Sequence, residues 1–405
     1  MLDLVVLAPG FLGFDHFGGF PYFTQTVSTA LRVALEDMCR DKALELRIVP
    51  LGTVPAGSLA ERQALLLRQL TRCLEWAEHE QPRSGAVHLH VVGHSTGGLD
   101  AELLTLRKPL AHQFWSEADD RVRRSLRTIV SIAAPLSGTS LADAALVQLL
   151  ATNELHSLKD VLSWPRTQLE RVVKLPSALP ELWPELLDLL EGLPPLLKDD
   201  ALKLLAGNAW YDPHAVLEFV NSLRTNRKLL HDLRPSEVDV TLSLGFDARL
   251  DRIQRARYLT VARAPTAATT PAQKLFEFFH GLTARYADDT ELASVARTIN
   301  ERVASGRIPV IGATQLPPLR AASNDGIVNT LRQIPLASDT LAVQLDRIAA
   351  VVVADHLDVI GYFPTATPFH KESPNGFLNS GSSFRDREFC ALYRSVAREI
   401  SKTIL

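Results

Sequence analysis

Val87-His88-Leu89-His90-Val91-Val92-Gly93-His94-Ser95-Thr96-Gly97-Gly98 is the stretch whose reading decides the fold. Four of its first six residues are apolar, which predicts a buried strand. Helical patterning follows from about Leu99 to Lys108. Between the two lies Gly93-His94-Ser95-Thr96-Gly97, a G-x-S-x-G box. Strand, tight turn and helix are the context that makes this pentapeptide a nucleophile elbow, with Ser95 at the apex of a strained turn. In that arrangement the Thr96 N–H points to where an oxyanion would form. His94 adjoins the nucleophile, and its ring is expected to face elsewhere.

The pattern extends in both directions. Leu4–Ala8 predicts a strand, followed by the Gly-rich loop Pro9–Asp15 with Gly18-Gly19 beyond it. Thr26–Cys39 repeats apolar residues at helical spacing through Val27, Ala30, Leu31, Ala34 and Leu35. Leu46–Leu51, Leu126–Ala133, Tyr258–Ala262 and Ile348–Ala354 read as strands, with Ile308–Ala313 as a further candidate. Leu59–His79, Phe276–Val303 and Asp386–Thr403 read as helices. Strands alternating with helices predict an α/β protein, its sheet mostly parallel and covered on both faces. From residue 140 to 237 the strand signals vanish. Leucine-rich helical segments follow one another there, broken by prolines at 165, 176, 180, 184, 194 and 195. The expected organisation is a core of residues 1–139 and 238–405 carrying a helical cap or lid at 140–237. Trp164, Trp183 and Trp210 of the cap are accounted for by helix packing, or by a mobile lid that shows an apolar face to lipid.

Composition narrows the function classes. Hydrophobic residues make up 46% and charged residues 22% of the 405, ordinary for a globular protein. A net charge of −3 offers no electrostatic case for nucleic acid or an anionic membrane. No run of 18 apolar residues predicts a transmembrane helix. Met1–Ala8 reads as a core strand and lacks a basic n-region, so a cytoplasmic location is expected, with export after signal removal as the alternative. Cys39, Cys73 and Cys390 read as buried thiols without a disulfide framework. The chain has no C-x-x-C or H-E-x-x-H spacing to suggest metal-centred chemistry.

A serine nucleophile needs a base, an acid that orients the base, and a second oxyanion donor. His356 stands just past the last strong strand, where a base reaching back across the strand ends belongs. Asp325, in Ser323-Asn324-Asp325-Gly326-Ile327-Val328-Asn329, falls between nucleophile and base, in the chain order Ser, Asp, His. Asn-Asp-Gly is also plain turn chemistry. Asp339, Asp346 and Asp355 are rivals. Asp355 adjoins His356, and neighbours on an extended chain tend to point apart. The second donor is expected in the loop after the first strand: Gly10 permits a sharp turn, and the Phe11 N–H would pair with that of Thr96.

Taken together, these boxes resemble bacterial true lipases of the α/β-hydrolase fold. Leu7–Asp15 with Gly18-Gly19 resembles the oxyanion loop of the Pseudomonas and Burkholderia type. The elbow, Ile132-Ala133-Ala134-Pro135 with Gly138-Thr139, Asn324–Thr330 and Asp355–Gly361 resemble the thermoalkalophilic Bacillus and Geobacillus type. The resemblance implies Ser95 as nucleophile, Asp325 as acid, His356 as base, and Phe11 and Thr96 as oxyanion donors. It also implies a calcium ion beside the base, with Asp358 as one ligand. Two departures stand out. Pro9 occupies the place of a family histidine, and Phe363 that of a second acidic calcium ligand, so no calcium requirement is expected. No matching His pair lies between Leu51 and Val87, so no zinc is expected.

The expected function is a carboxylic ester hydrolase, a lipase or esterase, that forms an acyl-enzyme on a lipid-like or other apolar acyl ester. Transient contact with a lipid surface would accompany it. The alternatives are an acyltransferase that uses an alcohol in place of water on the same triad, and a non-catalytic lipid-binding relative.

Overall fold

The computed structural model describes residues 2–404 apart from 11–15, 18–19, 43–44, 55–56, 81–85, 144–227, 286–289, 315, 337–340 and 364–377. The chain opens with β1 (Leu2–Ala8), a short antiparallel hairpin of β2 (His16–Phe17) and β3 (Phe20–Pro21), and α1 (Gln25–Met38). It continues through β4 (Glu45–Pro50), α2 (Leu59–Glu80), β5 (Val87–His94), α3 (Thr96–Leu103), α4 (Glu117–Ser125) and β6 (Leu126–Ile132). After residue 227 come α5 (Lys228–Asp232), α6 (Pro235–Leu242), β7 (Gln254–Val261), α7 (Pro271–Arg285) and α8 (Thr290–Ala304). The chain ends with β8 (Val310–Ile311), α9 (Leu341–Asp346), β9 (Ile348–Val353) and α10 (Asp386–Ser401).

Seven strands form one sheet in the order β4-β1-β5-β6-β7-β9-β8, and every pairing in it is parallel. Parallel strands need crossover connections, which place helices on the sheet faces and leave the strands buried on both sides. β1 and β5 are accordingly buried at every position. Side chains alternate between the faces. Val5 and Leu7 pack with α1 and α10 through Val27, Leu31, Leu392 and Val396. Leu4 and Val6 pack on the opposite face with Leu66, Leu70 and Leu74 of α2. A third cluster joins β7 and β9 to α8 through Leu259, Val351, Val295 and Ile299. This is the α/β-hydrolase fold that the sequence predicts.

Several boundaries differ from the sequence reading. The elbow helix starts at Thr96 and ends at Leu103. The single helix expected over Phe276–Val303 is two, α7 and α8. The run Ile308–Ala313 contributes only the two-residue β8. Of the three cysteines, all free, Cys39 is buried while Cys73 is half-buried and Cys390 exposed, so burial holds for one alone. Most of the expected cap, including its three tryptophans, lies outside the described residues. Its described ends are anchored on the core: Leu229 and Leu233 pack with Leu99, Leu103 and Leu136, and Thr139 N–H donates to the Leu233 carbonyl at 2.9 Å. No helix among the described residues is long and apolar enough to cross a membrane.

Candidate active site

β1, β5 and β6 end side by side, and the site begins at that rim. Ser95 has φ 54° and ψ −134°, a conformation that L-residues avoid. Its N–H donates to the Ile132 carbonyl at 2.9 Å, and its carbonyl accepts from Gly98 N–H at 3.0 Å. The turn is thereby fixed to β6 on one side and to α3 on the other. A side chain at Gly97 would collide with the Ala8 carbonyl, so glycine is what lets α3 lie against the end of β1. Ala133, just after β6, is the other described non-glycine residue with positive φ, 52°. As the first residue of α3, Thr96 offers an N–H with no acceptor inside the helix.

His356 is 4% exposed and sits past the end of β9. Its Nδ1 lies 2.9 Å from Oδ2 of Asp325, which is fully buried. A carboxylate only accepts, so Nδ1 carries the proton and Nε2 presents a lone pair. The same Oδ2 accepts from the Thr260 hydroxyl at 2.5 Å, while Oδ1 accepts from the N–H groups of Ile327 at 3.0 Å and Val328 at 2.8 Å. His356 N–H donates to the Asp325 carbonyl at 3.0 Å, so backbone and side chains hold the pair together. No hydrogen bond joins Ser95 Oγ to His356 among the described residues.

The rival acids have other partners. Asp346 is ion-paired at 2.6 Å with Arg302, and Asp339 lies outside the described residues. Asp355 Oδ1 accepts from Leu357 N–H at 3.1 Å and Asp358 N–H at 3.0 Å, and its Oδ2 accepts from Ser380 N–H at 3.0 Å. Asp358 Oδ2 accepts from Asp355 N–H at 3.0 Å and the Ser382 hydroxyl at 2.8 Å. Burial pushes the Asp355 carboxyl up to about 6. Asp358 is raised well above the carboxylate range by burial and then by the Asp355 charge.

Asp358 is therefore already engaged by protein donors. Phe363 is buried against Phe384 and Phe389, at ring separations of 5.6 and 5.2 Å. Ca²⁺ wants six or more hard oxygens, and the Phe363 ring supplies none. Among the described residues no group of three or more His, Cys, Asp or Glu could hold a metal ion.

Phe11 lies outside the described residues, but the residue before it is in place. A Cβ on Gly10 would fall 2.5 Å from Ser95 Cβ and from the Tyr22 hydroxyl, so the loop backbone rests directly on the elbow. Arg62 on α2 sets the approach. Its guanidinium donates to Asp100 of α3 at 2.6 Å and to the Pro9 carbonyl at 3.1 Å, both buried, and to the carbonyl of the exposed Val54 at 3.0 Å. The loop after β1 is thus held through the Pro9 carbonyl.

Arg62, Thr260, Tyr22 and Gln333, whose Oε1 accepts from Thr260 N–H at 2.7 Å, carry no role in the sequence reading. For Arg62 there was a signal, because a charged side chain at position 62 interrupts the apolar stripe of Leu59, Leu66 and Leu70. Thr260 likewise interrupts the apolar run of β7. Among the described residues no hydrogen bond joins the His94 ring to Ser95. The ring packs instead on His356, centroid to centroid 4.7 Å, with Nε2 2.9 Å from the His356 carbonyl oxygen.

No family model matches the sequence, and no curated protein matches it. Solved structures do. EstA from Clostridium botulinum is similar at 15% identity over 99% of this chain and 87% of its own, with a TM-score of 0.47. Lipase 1 from Pelosinus fermentans is similar at 15% identity over 99% and 98%, with a TM-score of 0.48. Staphylococcus hyicus lipase is similar at 14% identity over 100% and 97%, with a TM-score of 0.43.

Proposed function

We propose that this protein is a serine carboxylic ester hydrolase acting on apolar acyl esters. The observation that carries the reading is the 2.9 Å contact between His356 Nδ1 and Asp325 Oδ2, two buried side chains, at the same rim as the strained Ser95. With Nδ1–H given to Asp325, His356 Nε2 takes the Ser95 hydroxyl proton as Oγ attacks the ester carbonyl. The Thr96 and Phe11 N–H groups hold the tetrahedral oxyanion. His356 then protonates the departing alcohol, and water activated by the same imidazole cleaves the acyl-enzyme. Asp325 orients the ring and stabilises the imidazolium. The mechanism requires no metal, and Asp358 serves as a brace of the base loop.

Ser95→Ala tests this directly. Hydrolysis of p-nitrophenyl esters should fall by several orders of magnitude with an unchanged melting temperature. A fluorophosphonate probe should label Ser95 alone. Activity of the variant within tenfold of wild type would overturn the reading. Rates across increasing acyl length, above and below the solubility limit, then separate lipase from esterase, and added alcohols reveal any acyl transfer.

A further inference from the structure

His94 and Tyr22 touch the site from behind, and the proposed chemistry uses neither. His94 is fully buried. Its Nε2 faces the His356 carbonyl, an acceptor only, so Nε2 carries the ring proton. Burial, and then the competition of the neighbouring His356 for a second proton, hold the ring well below the usual histidine range, which leaves Nδ1 bare. The Tyr22 hydroxyl lies 2.6 Å from that nitrogen and donates to it. The phenol itself stays protonated, its titration pushed upward by burial. The Gly10 backbone faces the same phenolic oxygen. One continuous chain of polar contacts therefore runs from the loop after β1 to the backbone of His356, passing through the residue next to Ser95.

The geometry assigns Tyr22 and His94 as positioning residues. Tyr22 fixes the His94 tautomer, and His94 anchors the His356 backbone carbonyl, which registers the base against the Gly10 loop. The assignment of purpose rests on the ester-hydrolase reading, whereas the hydrogen-bond chain does not. A ring that merely filled space would need neither nitrogen. The chain instead uses both, with one donor and one acceptor on opposite sides of the imidazole. Phenylalanine keeps the ring shape and loses both bonds. Glutamine offers one amide donor and one carbonyl acceptor at nearly the same separation, so it can rebuild the link without the ring.

Five variants and one spectroscopic measurement test the assignment. Tyr22→Phe should lower kcat about tenfold with KM within twofold, and His94→Phe should lower it further. His94→Gln should recover at least part of the His94→Phe loss. Because Tyr22 acts through His94, adding Tyr22→Phe to His94→Phe should cost nothing more. ¹⁵N spectra of histidine-labelled protein, with His94 assigned by its loss in His94→Gln, should show the Nε2–H tautomer. Tyr22→Phe should move the Nδ1 resonance toward that of a bare nitrogen, and Ser95→Ala should leave it in place. Additive kinetic losses, a Tyr22→Phe kcat within twofold of wild type, or an Nδ1–H tautomer would each overturn the assignment. If the wild-type protein hydrolyses no ester and takes up no fluorophosphonate, the catalytic reading fails. The positioning role for the base then fails with it, while the tautomer measurement still decides whether the link exists.

Discussion

Asp325 and Asp355 stand in two turns built the same way. Each carboxylate uses Oδ1 to accept the backbone N–H groups two and three residues ahead: Ile327 and Val328 in one turn, Leu357 and Asp358 in the other. Both side chains are buried. The turns part company in what faces the second oxygen. In Asp325 it is the imidazole of His356 and the Thr260 hydroxyl, and in Asp355 it is the Ser380 backbone N–H. One turn thereby presents a charge to a group that can take up a proton, while the other spends its charge on a peptide. Local turn chemistry does not decide which aspartate faces an imidazole. The strand that brings up the facing atom does.

The comparison is tested most sharply by making the same change in both turns. Asp325→Asn should lower kcat by about 10⁴, as loss of an orienting carboxylate does elsewhere, with little change in stability. If Asp355→Asn is instead the change that removes activity, the assignment of the acid is wrong. Thr260→Val keeps the shape beside Asp325 and deletes one hydrogen bond to its charge. Steady-state kinetics should show roughly a ten- to hundredfold loss in kcat. Asp355→Asn sets an amide N–H₂ against the Ser380 N–H and should cost about 1–3 kcal/mol, read as a lower denaturant midpoint. Its kcat per folded molecule should stay within tenfold of wild type.

That variant should also change the pH dependence. With its carboxyl raised to about 6, the folded protein keeps a proton that the unfolded chain has already released. Wild-type stability therefore declines as pH rises through that value, and Asp355→Asn should flatten the decline. The smallest effect belongs to chelation. EGTA should leave the melting temperature unchanged, whereas Asp358→Ala should lower it by a few degrees as the Asp355 N–H and Ser382 hydroxyl lose their acceptor. A fall on chelation that added calcium reverses would show that an ion shares the Asp358 loop.

Much of this architecture can be read from sequence because it is locally encoded. The strand-to-helix switch at Ser95 and the chain order of Ser95, Asp325 and His356 are visible as patterns of residue type. The supporting contacts are not. Thr260 reaches Asp325 only because the turn that carries Asp325 folds back on the end of β7, where Ala262 N–H donates to the Asn324 carbonyl at 3.0 Å, and Arg62 reaches Pro9 only because α2 crosses back over β1. Such partners are set by tertiary packing, which a linear pattern does not carry. His94 shows a further limit. Its neighbour Ser95 sits in so sharp a turn that the alternation of an extended strand no longer tells which way the ring points.

The backbone of Ser95 has a practical consequence. Its φ of 54° is one that glycine adopts freely and serine does not. Strain of this kind is on the order of 1–3 kcal/mol per residue. Ser95→Gly would release that tension while deleting the hydroxyl, and glycine's greater freedom in the unfolded chain would offset only part of the gain. The result would be a sturdier molecule that binds an ester without cutting it, suited to capturing the uncleaved substrate in a crystal.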